Sequence, residues 1–260
     1  MQSFQLYAPG NSFLYRMDPR VKLIAVAAVF TVSVLFKDAR YLAPVFFALI
    51  ALAVLGRVPM RRVALLLKSL VVLVAISMVM WPLIYHQGKV LFEVLGFDVT
   101  SGGIAYGLGM SFRILDMVVA PIILFLTTPQ SDFVSGLRRL GLPYKAAFAL
   151  TMALRFLPTV AGVGQTIVEA QRARGVDPSS GGVRARMRNH SRILGPLVIT
   201  SLRLAQQTIL AVEARAFSVG RTRTTLRLLA YRPSDLIALT FLAAALTTAV
   251  ALRIYGKGDL

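Results

Sequence analysis

The apolar residues of this chain fall into blocks. Residues 21–36, 41–55, 63–85, 102–126 and 236–252 are almost uninterrupted apolar runs, and the breaks between them are rich in charge or glycine. Such runs cross a bilayer as helices, because about 20 residues of helix span the hydrocarbon core and satisfy every backbone polar group internally. Pro19 suits the first position of a helix with Asp18 as its cap, so the first span begins there. Lys37-Asp38-Ala39-Arg40 leaves room only for a tight hairpin before the second run. Both early runs are slightly short, and flanking Lys22, Lys37, Arg40 and Arg57 are placed to snorkel and extend them. The third run ends on Trp81 and Tyr85, where an aromatic belt sits.

The fourth run opens with Gly102, Gly103, Gly107 and Gly109. Small residues let a second helix approach closely, so Gly103 and Gly107 are expected to form a packing surface. Arg113 and Asp116 lie three apart in its interior. Intramembrane charges are functional candidates, and a pair of opposite sign at this spacing also has the simpler reading that it neutralises itself. Both readings stand at this point.

From residue 127 to 235 the pattern changes. Thr128-Pro129 starts a short amphipathic helix with Phe133, Val134, Leu137 and Leu140 on one face, ended by Gly141-Leu142-Pro143. Residues 144–157 are almost wholly apolar and are expected to lie against the membrane or inside a helical bundle, with Pro158 kinking or restarting a helix that runs to Arg174. Residues 176–183 read as a loop, 184–192 as a basic stretch, and 196–217 as a second long helix. Residues 221–232, basic with interspersed leucines, suit a membrane surface. The two long helices end alike, in Ala173-Arg174-Gly175 and Ala214-Arg215-Ala216, the arginines 41 positions apart. An arginine in a last turn complements the helix dipole and keeps five donors for an acidic or carbonyl-lined pocket on another molecule. Two such ends read either as a two-pronged plug or as two ordinary cationic helix termini.

Composition narrows the class. With 57% apolar residues and a mean hydropathy of +0.70, the 260-residue chain belongs among membrane proteins. Its formal charge of +18 is explained by basic cytoplasmic segments beside anionic lipid, since no aromatic-basic interleaving of a nucleic-acid-reading module accompanies it. Residues 127–235 hold 16 of the 29 lysines and arginines against 5 of the 11 acids, so this stretch is expected in the cytoplasm and residues 86–101 outside. The first run lacks a cleavage site and reads as a retained span. Counting spans puts the N-terminus inside and, after five crossings, the C-terminus outside. Cysteine is absent, Gly256-Lys257-Gly258 lacks the frame of a P-loop, and His86 and His190 fall on opposite membrane sides. No hydrolase or metalloprotease pattern occurs. The result is a membrane part without an engine and a cytoplasmic part shaped to be gripped.

Several stretches together resemble the transmembrane T component of energy-coupling factor (ECF) transporters, the EcfT/CbiQ-like family. They are Tyr7-Ala8-Pro9-Gly10-Asn11-Ser12 with Met17-Asp18-Pro19-Arg20-Val21-Lys22-Leu23, then Leu137-Arg138-Arg139-Leu140-Gly141-Leu142-Pro143-Tyr144, Leu154-Arg155-Phe156-Leu157-Pro158-Thr159, and Glu169-Ala170-Gln171-Arg172-Ala173-Arg174-Gly175. The second copy has Ala216 where the first has Gly175, as if a small residue rather than glycine were required. The resemblance implies an all-α integral membrane protein of about five transmembrane helices plus long cytoplasmic coupling helices, in a prokaryotic cell membrane. It divides the chain into a membrane domain at 1–126, a coupling domain at 127–235 and a last span at 236–260. It implies no cofactor in this chain, two partner ABC ATPases that hold ATP-Mg and receive Arg174 and Arg215, and a membrane-embedded substrate-binding S component for a vitamin or metal ion. Gly103, Gly107, Arg113 and Asp116 are then candidates for contact with that S component. The opening resembles the shared type of module more than the cobalt-dedicated type. The competing readings are a permease subunit that forms its own substrate path, which needs polar residues across several spans, and an integral-membrane enzyme, which needs a clustered acid, base or metal set; Asp18, Asp38 and Asp116 are instead dispersed.

Overall fold

The computed structural model of the chain describes residues 10, 12–85, 90–94, 97–176, 182–215 and 233–255. The elements in order are α1 (Phe13–Arg16), α2 (Pro19–Leu35), α3 (Ala39–Leu55), α4 (Met60–Ile84), β1 (Val90–Val94), β2 (Phe97–Thr100), α5 (Ser101–Thr127), α6 (Gln130–Arg139), α7 (Tyr144–Ala173), α8 (Val183–Ala214) and α9 (Pro233–Ile254). The protein is a helical membrane protein, and the one small β-element among the described residues is an antiparallel hairpin of β1 and β2 between α4 and α5.

Helix boundaries follow from local chemistry. Asp18 caps α2, its carboxylate accepting the Arg20 N–H at 2.9 Å with Pro19 at the first helical position. Asp38 caps α3 in the same way, from Arg40 N–H at 2.9 Å. Between α3 and α4 the chain turns through Arg57, whose φ of 50° lies in the left-handed region, while Val58 N–H returns to Ala53 O at 2.9 Å. Gly141, at φ 115°, ends α6, with Leu142 N–H donating to Leu137 O at 3.1 Å. Thr100 joins α4 to α5: its hydroxyl donates to Tyr85 O at 2.9 Å and accepts Gly103 N–H at 3.1 Å.

Several helix starts differ from the sequence-based expectation, among them α9, which begins at Pro233 rather than 236. The third span begins at Met60, and α8 begins at Val183 rather than at Pro196, taking in the whole basic stretch. Pro196 suits a first helical position but lies inside the helix, as does Pro158 in α7. Among the described residues, five helices are long and apolar enough to cross a membrane: α4, α5, α7, α9 and residues 186–214 of α8. The count matches the expectation but its members differ, because α2 and α3 have only 17 residues each while α7 and α8 also meet the requirement. Of the anticipated features, residues 1–9, His86, residues 177–181, Ala216 and residues 221–232 lie outside the described residues.

The chain divides into two compact units, one of Gln5–Ala147 and Leu229–Leu260, the other of Met1–Phe4 and Phe148–Leu228. The boundary between these units falls within α7, and α6 packs on α2. Val134 is buried there, and a methyl group at Gly136 would lie 3.1 Å from Pro19 Cβ. The first unit is organised around α5, which is 39% buried over its apolar window against 11% for α4. Val119, Ile123 and Leu126 of α5 pack with Ala53, Val58 and Val63, and Phe112 packs with the second cluster of Phe36, Leu42 and Ala249. At ~25 cal/mol per Å² of apolar surface, this burial suits an internal helix. Leu65, Val72 and Val79, seven apart on α4, are 64–68% exposed and form a stripe suited to lipid.

Candidate functional site

The two Ala-Arg ends belong to the second unit. At the end of α7, Val176 N–H donates to Gln171 O and Gly175 N–H to Arg172 O, both at 2.9 Å, with Gly175 at φ 78°. This is a Schellman closure with Arg174 as the capping residue and Gly175 in the left-handed position. A side chain at 175 meets nothing within 4 Å, so glycine is there for its backbone conformation and not for space. At the end of α8, Arg215 caps the helix with φ −91° and its N–H on Glu213 O. Arg174 and Arg215 are both exposed, and neither guanidinium has a hydrogen bond or ion pair among the described residues.

The order of contacts along α7 and α8 sets where these arginines stand. Gln171 Nε2 donates to Arg192 O at 3.4 Å, and a methyl at Gly164 would lie 3.9 Å from Leu197 Cδ1. Phe148, Met152 and Phe156 line a groove with Leu204, Val212 and Arg215. Contacts that rise along α8 as they fall along α7 make the two helices antiparallel. Arg174 and Arg215 therefore lie at opposite ends of the pair, about 30 Å apart at 1.5 Å of rise per residue.

The membrane residues divide differently. Gly103 lies against α4: a methyl there would come within 2.7 Å of Tyr85 O and 2.9 Å of Pro82 Cα, and one at Gly107 within 3.3 Å of Pro82 Cδ. Gly109 is tighter still, against the backbone of Lys37. The glycine surface faces other segments of this same chain, α4 at Gly103 and Gly107 and the α2–α3 connection at Gly109. Arg113 does not neutralise Asp116. Its Nη2 donates to Phe36 O at 2.6 Å, reaching across to the end of α2 instead of along its own helix. Asp116 is 0% exposed, and both of its oxygens lack a partner among the described residues.

Sequence reading missed a buried polar corner where α2, α5 and α9 meet. Lys22 is buried and does not snorkel: its Nζ donates to Thr128 Oγ1 at 3.0 Å, Thr127 O at 3.1 Å and Thr127 Oγ1 at 3.4 Å. Beside it, Asp18 N–H donates to Asp235 Oδ1 at 3.1 Å. Lysine is too costly to desolvate without such acceptors, and the acceptors lie 105 and 106 residues away. The only local signal was Lys22 itself, placed just inside an apolar run.

The sequence matches known proteins over most of its length. The CbiQ family, described as cobalt transport protein, matches residues 10–226. The chain is similar to the energy-coupling factor transporter transmembrane protein EcfT of Thermosediminibacter oceani, 32% identical over 249 residues covering 92% of each chain. It is likewise 31% identical to that of Bacillus subtilis, with 92% of this chain and 95% of the relative covered. The protein of the same name from Acidaminococcus fermentans is 34% identical over 88% of each chain. Matches that extend over both the α5-centred unit and the two Ala-Arg helix ends leave one conclusion: the chain belongs to the EcfT/CbiQ-like family, as a multi-pass transmembrane component of ECF transporters in the prokaryotic plasma membrane.

Proposed function

We propose that the chain is the non-catalytic coupling subunit of an ECF-type importer, transmitting movement of two ABC ATPases to a membrane-embedded S component that carries a vitamin or a metal ion. The observation that carries this reading is the pair of exposed arginines, Arg174 and Arg215, at opposite ends of antiparallel α7 and α8. A separation of about 30 Å is too large for one pocket and suits two receptors side by side. Each guanidinium offers a planar fork of donors to a carboxylate or to carbonyl oxygens. In this reading residues 127–235 face the cytoplasm, ATP-Mg is held by the partners, and hydrolysis changes the spacing of the two receptors. α7 and α8 are helices of 30 and 32 residues, and levers of this length carry such a change to a membrane partner.

Apolar surface supports the second contact. Leu194, Val198, Leu202, Ile209 and Leu210 of α8 are all more than half exposed, a large apolar face for lipid or a membrane partner. Purification of the tagged chain from its native membrane in mild detergent tests the reading. It predicts two ATPase chains and one small, substrate-loaded membrane protein in the same complex. Recovery of the chain alone, with substrate transport by it in liposomes, contradicts the reading in favour of a permease that forms its own path.

A further inference from the structure

The groove between α7 and α8 carries a second arginine that the two-pronged reading does not use. Arg155 lines it together with Arg215, in a volume of about 500 Å³ whose walls include Met152, Phe156, Leu204 and Val212. Two arginines therefore line one cleft, and no carboxylate is among its lining residues. Arg155 is exposed and, like Arg215, has no hydrogen bond or ion pair among the described residues. Like charges sharing a cleft repel, and an anion seated between them removes the repulsion and takes donors from both. The apolar walls call for an apolar flank on whatever brings that anion.

We propose that Arg155 belongs to the ATPase-docking surface at the α8 end, where it and Arg215 together grip one acidic side chain of the partner while apolar neighbours of that side chain pack on Met152, Phe156, Leu204 and Val212. The proposal rests on the docking reading above. A volume of this size takes a few side chains and is too small for the two acyl chains of a phospholipid. Arg174 does not line this groove, so the two docking ends differ in kind: a paired-arginine socket at one and a lone prong at the other.

The test is the affinity of the purified ATPase pair for the detergent-solubilised chain, in wild type, Arg155→Ala, Arg155→Lys, Arg215→Ala and the Arg155→Ala/Arg215→Ala double variant. Each alanine variant is expected to weaken binding by about tenfold or more. The double variant is expected to lose less than the product of the singles, because two donors share one acceptor. Arg155→Lys, which keeps charge and fold, is expected to recover only part of the loss. If Arg155→Ala binds within twofold of wild type while Arg215→Ala is weakened, the pairing is wrong and the docking reading survives. If neither variant changes binding, both fail. Loss of bound anionic phospholipid from Arg155→Ala in native mass spectrometry, with ATPase affinity unchanged, assigns the groove to lipid and overturns the proposal.

Discussion

The backbone N–H of Asp18 donates to Asp235 Oδ1 at 3.1 Å, joining the first turn of α2 to the first turn of α9 across 217 residues. Both carboxylates are buried, at 5% and 0% exposure, and Lys22 with its three oxygen acceptors lies one turn along α2. The corner holds the ends of α2, α5 and α9 in one place. Asp235→Ala leaves the Asp18 N–H buried and unsatisfied, a cost of about 1–3 kcal/mol, whereas Asp235→Asn keeps an acceptor oxygen. Thermal unfolding of the detergent-solubilised chain is expected to rank wild type above Asn and Asn above Ala. Equal midpoints for Ala and wild type contradict the assignment.

The glycines of α5 differ in how much room each has. A methyl at Gly103 or Gly109 runs into backbone atoms of Tyr85, Pro82 and Lys37, which cannot rotate away, whereas one at Gly107 meets the Pro82 ring at 3.3 Å. Gly103→Ala and Gly109→Ala are expected to cost about 1–3 kcal/mol through overpacking, and Gly107→Ala well under that. Gly107→Leu, too large for the same gap, is expected to behave like the first two. Yields of folded monomer by size exclusion check the order, and a Gly109→Ala variant as stable as wild type refutes the close contact.

How much of this was legible depended on sequence distance. Asp18 with Pro19, Gly141, and the Ala173-Arg174-Gly175 end are local, since cap and capped residue lie within a few positions, and each stands where its chemistry indicated. Ala216 in the second copy suggests that any small residue suffices at this position, whereas the left-handed φ of 78° at Gly175 favours glycine itself. Helix α8 starts well before Pro196, because the arginines ahead of it are good helix formers and the proline is accommodated within the helix instead of beginning it. The partners of Lys22, Arg113 and Asp18 were not legible, because they lie 105, 77 and 217 residues away and no local pattern encodes them. Arg155 stood in the sequence as an exception to an apolar run. Only the antiparallel order of α7 and α8 brings it to Arg215.

Orientation has a direct test because the chain has no cysteine. Single cysteines at Gly182 and Val90, both exposed, are expected to report opposite sides of the membrane. A membrane-impermeant thiol reagent applied to intact cells labels Val90→Cys, and reaches Gly182→Cys only after permeabilisation. The reverse pattern inverts the topology and removes the cytoplasmic placement of α7 and α8.

The central claim is that Arg174 and Arg215 are two separate docking points and not parts of a diffuse basic surface. The most direct measurement is ATPase co-purification together with substrate uptake for Arg174→Ala, Arg215→Ala and the double variant, with Arg184→Ala as an exposed arginine on the same pair of helices. Truncating one partner of a charge pair buried on docking costs about 2–5 kcal/mol. Each single variant is therefore expected to lose uptake while retaining some ATPase, the double variant is expected to lose both, and Arg184→Ala is expected to match wild type. A loss in Arg184→Ala equal to that of Arg174→Ala and Arg215→Ala contradicts the account, because charge in general and not two defined helix ends would then be holding the ATPases.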